Sequence, residues 1–105
     1  MTYRVIYAAA ARADLRTIVT YLRTAAGDAI AKAVADDIIA AAETLNTMPT
    51  RRRTRNDLSS GLRSLSVGNY MIFYRVQRAT VSIVRILHGS RNITSELFSG
   101  VPSRD

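Results

Sequence analysis

Residues 62–87 read LRSLSVGNYMIFYRVQRATVSIVRIL, and this stretch decides the fold of the 105-residue chain. Three runs within it, residues 62–67, 70–76 and 80–87, are rich in apolar and β-branched side chains and approach a period of two, which is typical of strands. Gly68 and Asn69 separate the first two runs, and residues 77–79 separate the last two. Connections this short join neighbouring antiparallel strands. We therefore predict an antiparallel meander of three strands.

Upstream of the meander the apolar residues follow the period of a helix. Leu15, Ile18, Val19 and Leu22 stand at i, i+3, i+4 and i+7 within an alanine-rich stretch, residues 9–26, which predicts an amphipathic helix. Gly27 is a stop signal and Asp28 a predicted N-cap for a second helix that ends before Pro49. The apolar face of this second helix consists of Ile30, Val34, Ile38, Ala41 and Leu45. Residues 2–7, rich in tyrosine, valine and isoleucine, predict a first strand.

The element order β-α-α-β-β-β predicts an α+β fold in which an N-terminal helical hairpin packs on a small antiparallel sheet. At 105 residues the chain is one domain, which we assign to residues 1–98, and residues 99–105 are expected to form a frayed tail. The segment 50–60 contains Arg51, Arg52, Arg53 and Arg55 with almost no apolar residues. We predict that it is a basic loop.

Composition excludes several kinds of site. The chain has no cysteine and one histidine, His88, so it cannot form a disulfide, a zinc–thiolate centre, an iron–sulfur cluster or a histidine cage. We expect neither a metal nor a cofactor. The sequence contains no apolar run long enough for a membrane span and no signal-peptide pattern, so we expect a cytoplasmic protein without membrane contact.

Charge is high and unevenly distributed. The chain has 15 basic and 8 acidic residues, a net charge of +7. Residues 12–47 contain four basic and five acidic side chains, whereas residues 51–91 contain nine arginines and one acid, Asp57. This distribution predicts that an anionic partner meets the sheet half and the basic loop. A plainer interpretation is that some arginines are paired within the chain, with Asp14 and Asp57 as candidate partners.

His88 follows the most apolar strand, and both a rim position and a role as general base are consistent with that location. The sequence has no G-x-S-x-G nucleophile motif and no glycine-rich phosphate loop. A serine-hydrolase mechanism and nucleotide binding through such a loop are therefore disfavoured.

Several segments together carry a family resemblance. They are Ala13-Asp14-Leu15 with Ile18, Tyr21 and Leu22 in the first helix, GLRSLSVGNYMIFYRV at residues 61–76, and ILHGSRN at residues 86–92. With the element order, they resemble the RelE/ParE toxin superfamily over residues 3–98, and within it the ParE branch. The resemblance implies the toxin of a type II toxin–antitoxin pair, a class that includes plasmid stabilisation systems.

The superfamily divides by chemistry. RelE-type members cut mRNA on the ribosome with clustered basic residues and a C-terminal tyrosine, and an arginine follows the strand tyrosine. Here Met71 follows Tyr70, and Phe98 occupies the C-terminal position. Methionine cannot stabilise an oxyanion and phenylalanine cannot transfer a proton. The resemblance therefore implies no catalytic residues, and a nuclease mechanism would have to rely on His88, Arg91 and Arg63.

ParE-type members are understood to inhibit DNA gyrase by binding it, which the resemblance implies for this chain. The residues that we expect at the target are Arg85, His88, Arg91, Leu97 and Phe98. The resemblance also implies a ParD-like antitoxin, whose own domain binds DNA, so we expect no sequence-specific DNA binding by this chain. The residues that we expect at the antitoxin are Arg63, Tyr70, Tyr74, Arg75, Leu15 and Leu22. Two alternatives stay open, namely a RelE-type mRNA endonuclease and an inactive homologue that acts only as a complex subunit.

Overall fold

Two helices pack on a five-stranded sheet in the computed structural model, which describes residues 2–99. The elements are β1 (Arg4–Tyr7), α1 (Ala9–Ala26), α2 (Asp28–Glu43), β2 (Arg53–Thr54), β3 (Arg63–Val67), β4 (Tyr70–Gln77) and β5 (Thr80–His88). Short 3₁₀ turns span Thr44–Asn46, Pro49–Arg51 and Ser95–Phe98. The predicted α+β fold and element order are confirmed, with the two-residue strand β2 added.

The two helices are joined by one residue, Gly27. Its φ of 95° and ψ of 165° lie in a region of backbone conformation that is essentially restricted to glycine. The Gly27 N–H donates to the carbonyls of Leu22 and Arg23 and so closes the end of α1. Asp28 lies in the first turn of α2 and Gly27 occupies the N-cap, so the predicted N-cap was wrong by one residue. In the first turn of α2 the Asp28 carboxylate still interacts favourably with the positive end of the helix dipole and stabilises the helix.

The sheet has the strand order β1-β5-β4-β3-β2. Strands β3, β4 and β5 form the predicted antiparallel meander. The predicted small antiparallel sheet is confirmed for these three strands, whereas β1 pairs in parallel with β5, from Arg4 opposite Thr80 to Tyr7 opposite Ile83. Parallel neighbours need a long connection. The two helices and three further strands between β1 and β5 supply that connection.

Strand β1 covers only the first half of β5. The last backbone bond along this line runs from the Ala8 N–H to the Ile83 carbonyl, at 2.9 Å. Just beyond it the register between β4 and β5 shifts, because Phe73 lies opposite Arg85 whereas Tyr74 lies opposite Ile83. The second half of β5 therefore continues past the end of β1 without a neighbouring strand on that side.

Apolar side chains cover both faces of the sheet. The helix-side core includes Ile38, Leu45, Ile72, Tyr74 and Ile83. The opposite face has a second core, formed by Leu58, Leu62, Phe73, Val84, Leu87 and Phe98. The segment 50–60 is thus more than the solvated basic loop that we predicted, since it contains β2 and contributes a buried leucine.

The domain boundary at residue 98 stays a prediction, and the expected tail lies outside the described residues except for Ser99. In the described range, 2–99, no helix is long and apolar enough to cross a membrane.

Candidate functional site

A groove of about 660 Å³ lies between α1 and the C-terminal end of β5, and we call it the α1–β5 groove. It exists because β1 ends at Tyr7, opposite Ile83, while β5 continues to His88. Its helical wall comes from Asp14, Thr17, Ile18, Tyr21 and Leu22. Its sheet wall comes from Asn69, Tyr70, Ile86, Leu87, His88, Ser90 and Arg91.

The groove combines apolar surface with exposed polar groups. Ile18 and Leu22 are half-buried, whereas the Tyr21 side chain is prominent, with 66% of the residue exposed. On the sheet side Tyr70 and His88 are opposite each other in β4 and β5, with ring centroids 5.1 Å apart in an edge-to-face arrangement. Burial raises the pKa of the Tyr70 hydroxyl above its ordinary value. Tyrosine and arginine side chains in such surroundings are common anchors of protein interfaces.

The tautomer of His88 follows from its hydrogen bonds. The Ser90 N–H donates to Nδ1 at 3.0 Å, and the Ser90 hydroxyl lies 2.7 Å from the same atom. Because a backbone N–H can only donate, Nδ1 must be the acceptor, and the proton of the neutral ring is on Nε2. In this tautomer Nε2 is the donor of the His88 ring. A general base needs a free lone pair to accept a proton, and in this tautomer Nε2 has none.

Arg91 provides the cation of the groove. It is exposed, and its N–H donates to the His88 carbonyl at 3.0 Å, which holds the chain in a turn after β5. Its guanidinium has no ion-pair partner among residues 2–99. It is therefore available to an external carboxylate or phosphate.

Arg85, which we expected at the target, has a structural role. Its guanidinium binds the Asp14 carboxylate through two hydrogen bonds, of 2.7 Å and 2.9 Å, and donates a third to the Leu97 carbonyl. The hydrogen bonds to Asp14 raise the pKa of Arg85. The interpretation that some arginines are paired within the chain holds here, and also for Arg55 with Asp57.

Three residues that we expected at the antitoxin attach the 49–60 segment to the sheet. Tyr74 has no exposed surface and its hydroxyl donates to the Pro49 carbonyl. Arg75 is only 5% exposed and bonds the Ser59 hydroxyl and the Ser60 carbonyl. Arg63, half-buried, donates to the Thr50 and Arg52 carbonyls. Both Tyr74 and Arg75 are buried in the chain by itself, so their predicted contact with the antitoxin stays a prediction that this burial disfavours.

Phe98, which we expected at the target, is a core residue in this structure. It is 2% exposed, and its ring packs edge-to-face on Phe73 with centroids 5.0 Å apart. Leu97 is half-buried against the same core. An aromatic side chain in this position stabilises the fold and cannot anchor a partner without leaving the core.

Comparison with known proteins identifies the family. A profile described as the ParE toxin of the type II toxin–antitoxin system parDE matches residues 5–93. The chain belongs to the ParE toxin family.

A curated protein and solved structures also resemble the chain. Toxin ParE3 of Caulobacter vibrioides is 40% identical over 53 residues, which are 50% of this chain and 53% of that protein. The chain thus spans about half the length of the curated relative that it matches. A structure from the chromosomal ParDE system of P. aeruginosa shares the fold, with a TM-score of 0.75 and 21% identity over 83% of this chain and 96% of that one. The RelBE2 toxin–antitoxin complex of Mycobacterium tuberculosis gives a TM-score of 0.59 and 26% identity over 84% and 99%.

Within this family member the α1–β5 groove brings together four of the predicted binding residues, His88, Arg91, Tyr70 and Leu22. Thr17 and Asn69 line the groove but were not among the predicted binding residues, and Tyr21 entered the prediction only through the family pattern. A signal for Tyr21 was present, because it stands three residues after Ile18, at the border of the apolar face of α1. No sequence signal marks Thr17 or Asn69.

A second groove, of about 510 Å³, runs along the other side of α1. It is lined by Leu15, Val19, Thr20, Ala35 and three exposed arginines, Arg12, Arg16 and Arg23. The helical hairpin therefore also presents a basic surface, besides the sheet half and the basic loop where we expect an anionic partner. The hairpin has nearly equal numbers of acidic and basic side chains, but these three arginines lie on one side of α1. Leu15, which we expected at the antitoxin, lines the same groove.

Proposed function

We propose that this ParE-family toxin acts by binding DNA gyrase and does not cleave RNA. The observation that carries the proposal is the hydrogen bond from the Ser90 N–H to His88 Nδ1. This bond occupies the Nδ1 lone pair of the only histidine of the chain, which favours a tautomer whose Nε2 carries the proton and cannot accept another. Metal-free phosphodiester cleavage needs a base for the attacking hydroxyl.

The distribution of cations supports the same conclusion. Stabilising a pentavalent phosphate requires several positive groups that converge on one point. Of the residues on which the nuclease alternative would rely, Arg63 donates to two backbone carbonyls. Arg85, a further arginine of the sheet, is paired with Asp14. Arg91 is the one arginine that lines the α1–β5 groove among the described residues. A single arginine suits binding of an acidic surface better than catalysis.

The surface of the groove supports binding to a protein. Tyr21 and Arg91 are exposed beside the half-buried Ile18 and Leu22, a combination that resembles the aromatic and arginine anchors of interface hot spots. The net charge of +7 would accelerate association with an acidic protein.

We further propose a ParD-like antitoxin that neutralises the toxin by covering the α1–β5 groove. The structures with the same fold belong to ParDE and RelBE systems, and the RelBE2 structure is described as a toxin–antitoxin complex. The groove contains residues that we expected at the target, His88 and Arg91, and residues that we expected at the antitoxin, Tyr70 and Leu22. Competition for one surface would explain neutralisation without a conformational change.

The test combines two assays on the purified toxin. In a gyrase supercoiling assay we expect inhibition that Tyr21→Ala and Arg91→Ala each weaken by at least tenfold, whereas the control Arg51→Ala, in the exposed loop, retains it. In a reaction with translating ribosomes we expect intact mRNA. Cleavage within codons that His88→Ala abolishes would establish the endonuclease alternative instead. Activity in neither assay, with normal growth on expression, would favour an inactive complex subunit.

A further inference from the structure

We propose that one side of α1 binds the phosphate backbone of duplex DNA through Arg12, Arg16 and Arg23, which we call the α1 arginine stripe. All three arginines are exposed, and all three line the second groove, of about 510 Å³. The choice of DNA as the anion rests on the proposed function, since DNA gyrase is an enzyme that acts on DNA. The stripe adds to the proposed protein contact a second contact, with the DNA itself.

The three arginines lie in one line along the helix. Successive residues of an α-helix are rotated by about 100°, so positions 12, 16 and 23 fall within about 40° of one another. At 1.5 Å per residue they extend over about 16 Å of the helix axis. Their place in a single groove agrees with this alignment. The stripe therefore presents a row of positive charges to solvent.

The charge of the stripe is poorly neutralised within residues 2–99. Arg16 makes no ion pair with any of these residues. Arg12 donates a hydrogen bond of 2.6 Å to the Tyr7 carbonyl, which carries no net charge. Arg23 lies 3.8 Å from Asp28, and both side chains are mostly exposed, so that solvent weakens the pair. An external anion can therefore bind the stripe without displacing a buried partner.

The stripe also acts against the stability of α1. Arg12 and Arg16 are four residues apart, a spacing at which like charges repel each other on a helix surface. Arg12 lies at the end of the first turn of α1, and this turn contains no acid, although the N-terminus of a helix favours negative charge. Features that oppose the local fold are expected at functional sites. An external anion explains this arrangement, whereas the requirements of the helix do not.

The groove offers cations without a large anchor for a protein. Its apolar floor consists of Leu15, Val19 and Ala35, all of which are half-buried. None of the large apolar side chains that are exposed in residues 2–99 lines it, and such side chains usually anchor protein interfaces.

Duplex DNA fits a row of arginines well. It carries one negative charge per about 1.7 Å of its axis, so a stripe of about 16 Å runs beside about ten phosphates of the two strands. Arginines can then reach phosphates in almost any register. Contacts with phosphates carry no direct sequence information. This mode of binding agrees with our expectation that the chain does not bind a specific DNA sequence.

The stripe and the α1–β5 groove lie on different sides of α1. The two grooves share no lining residue, and Tyr21 is rotated by about 160° from Arg23 around the helix axis. One side of α1 can therefore bind the target protein while the other side contacts DNA. Two simultaneous contacts raise the effective concentration of the toxin at gyrase that holds DNA.

The experiment measures DNA binding by the full toxin in the absence of gyrase. Fluorescence anisotropy follows a labelled duplex of about 20 base pairs at about 0.1 M salt, where electrostatic contacts are only partly screened. The triple variant of the stripe combines Arg12→Gln, Arg16→Gln and Arg23→Gln, and we expect it to bind at least tenfold more weakly. Circular dichroism verifies its fold. Arg16→Gln alone removes no ion pair of the described chain, and it should weaken binding at least twofold in a fully folded protein.

The matched control removes the same charge from the basic loop. It combines Arg51→Gln, Arg52→Gln and Arg53→Gln, and we expect it to lose less than threefold in affinity. Salt dependence then counts the contacts, since each neutralised phosphate contributes about 0.9 to the slope of log K against log salt concentration. The slope should fall by about 2 to 3 in the stripe variant and stay nearly constant in the loop variant.

Three results would overturn the stripe as a DNA site. Equal losses in the two triple variants would show that net charge alone attracts DNA. A larger loss in the loop variant would place DNA on the basic loop. Binding of a helical peptide with a leucine and a glutamate face, lost in the stripe variant, together with no binding of DNA, would assign the groove to an acidic protein.

The gyrase assay separates this proposal from the proposed function. Absence of DNA binding with normal inhibition of supercoiling would refute the stripe and retain gyrase as the target. DNA binding through the stripe without inhibition of supercoiling would support the site and refute the target.

Discussion

Arg85 and Asp14 are 71 residues apart in the chain and form a two-pronged ion pair, with Nε–Oδ2 and Nη2–Oδ1 distances of 2.7 Å and 2.9 Å. Both side chains are largely buried. Asp14 also accepts the Ile86 N–H, and Arg85 also donates to the Leu97 carbonyl. The pair therefore connects α1, the end of β5 and the C-terminal 3₁₀ turn, and it determines one wall of the α1–β5 groove.

Removing one member of this pair should destabilise the protein strongly. We expect Asp14→Ala to lower the free energy of unfolding by about 3 kcal/mol, because the Arg85 charge stays buried without a partner. The control is Asp36→Ala, which breaks the exposed pair with Lys32 and should cost less than about 1 kcal/mol. Urea unfolding measures both. The double variant with leucine at positions 14 and 85 should be more stable than Asp14→Ala, and equal stability of the two would contradict the unpaired-charge explanation.

Phe98 should prove to be a core residue. We expect Phe98→Ala to cost about 3 kcal/mol of unfolding free energy, since it leaves a cavity beside Phe73. Leu97→Ala, at a half-buried neighbour, is the matched control and should cost less. Thermal unfolding followed by circular dichroism compares them. Unchanged stability of Phe98→Ala, together with lost toxicity, would restore the surface anchor that the sequence suggested.

Tyr74 should make stability depend on pH in the alkaline range. Burial raises the pKa of its hydroxyl from 10.0 to about 12. Between these values the unfolded chain loses the proton while the folded chain keeps it, so the free energy of unfolding falls as pH rises, by at most about 2 to 3 kcal/mol from this residue. Below pH 10 this contribution is fully present.

Tyr74→Phe provides the check on that pH dependence. At pH 7 the variant should be less stable by about 1 kcal/mol, because the Pro49 carbonyl loses its donor. The difference from the original protein should shrink or reverse between pH 10 and 12. Tyr21→Phe, at an exposed tyrosine, is the control. A constant difference over the whole pH range would show that Tyr74 does not cause the alkaline loss.

Gly27 should be intolerant of a side chain although space surrounds it. A Cβ at Gly27 would meet no atom of a described residue within 4 Å, apart from its chain neighbours. The backbone of Gly27, however, has a φ of 95° and a ψ of 165°, and an alanine held in this conformation costs about 1 to 3 kcal/mol. Gly89→Ala is the control, because its Cβ would meet the Asn69 carbonyl at 3.4 Å without a positive φ. Chemical denaturation of both variants distinguishes backbone strain from crowding. A larger loss for Gly89→Ala would argue against strain at the hairpin.

The local elements could be predicted from the sequence because their signals lie within a few residues. The apolar period of α1 predicted residues 9–26, and the structure has Ala9–Ala26. The alternation after Leu62, with Gly68 and Asn69 as a turn, predicted β3 and β4 to within one residue. Periodicity reflects which side of an element is buried, and this depends on neighbours along the chain.

The burial of charged and aromatic residues could not be predicted in the same way. The arginines of the second half looked like one basic surface, but Arg75 and Arg85 are held inside the protein by Ser59 and Asp14. Phe98 looked like an anchor in a polar tail, and it closes a core with Phe73. In each case a residue distant in sequence either binds the buried guanidinium or covers the buried ring.

By itself the sequence determined the helices, the meander and the family, since each is recorded in spacing and motif. Only the tertiary structure decided that β1 lies parallel to β5 and ends at Tyr7, opposite Ile83. The edge of β5 at Ile86 and His88 therefore lies beside α1 without a neighbouring strand. Strand pairing uses backbone groups that every residue carries, so no side-chain pattern encodes which strands meet. The groove follows from that pairing.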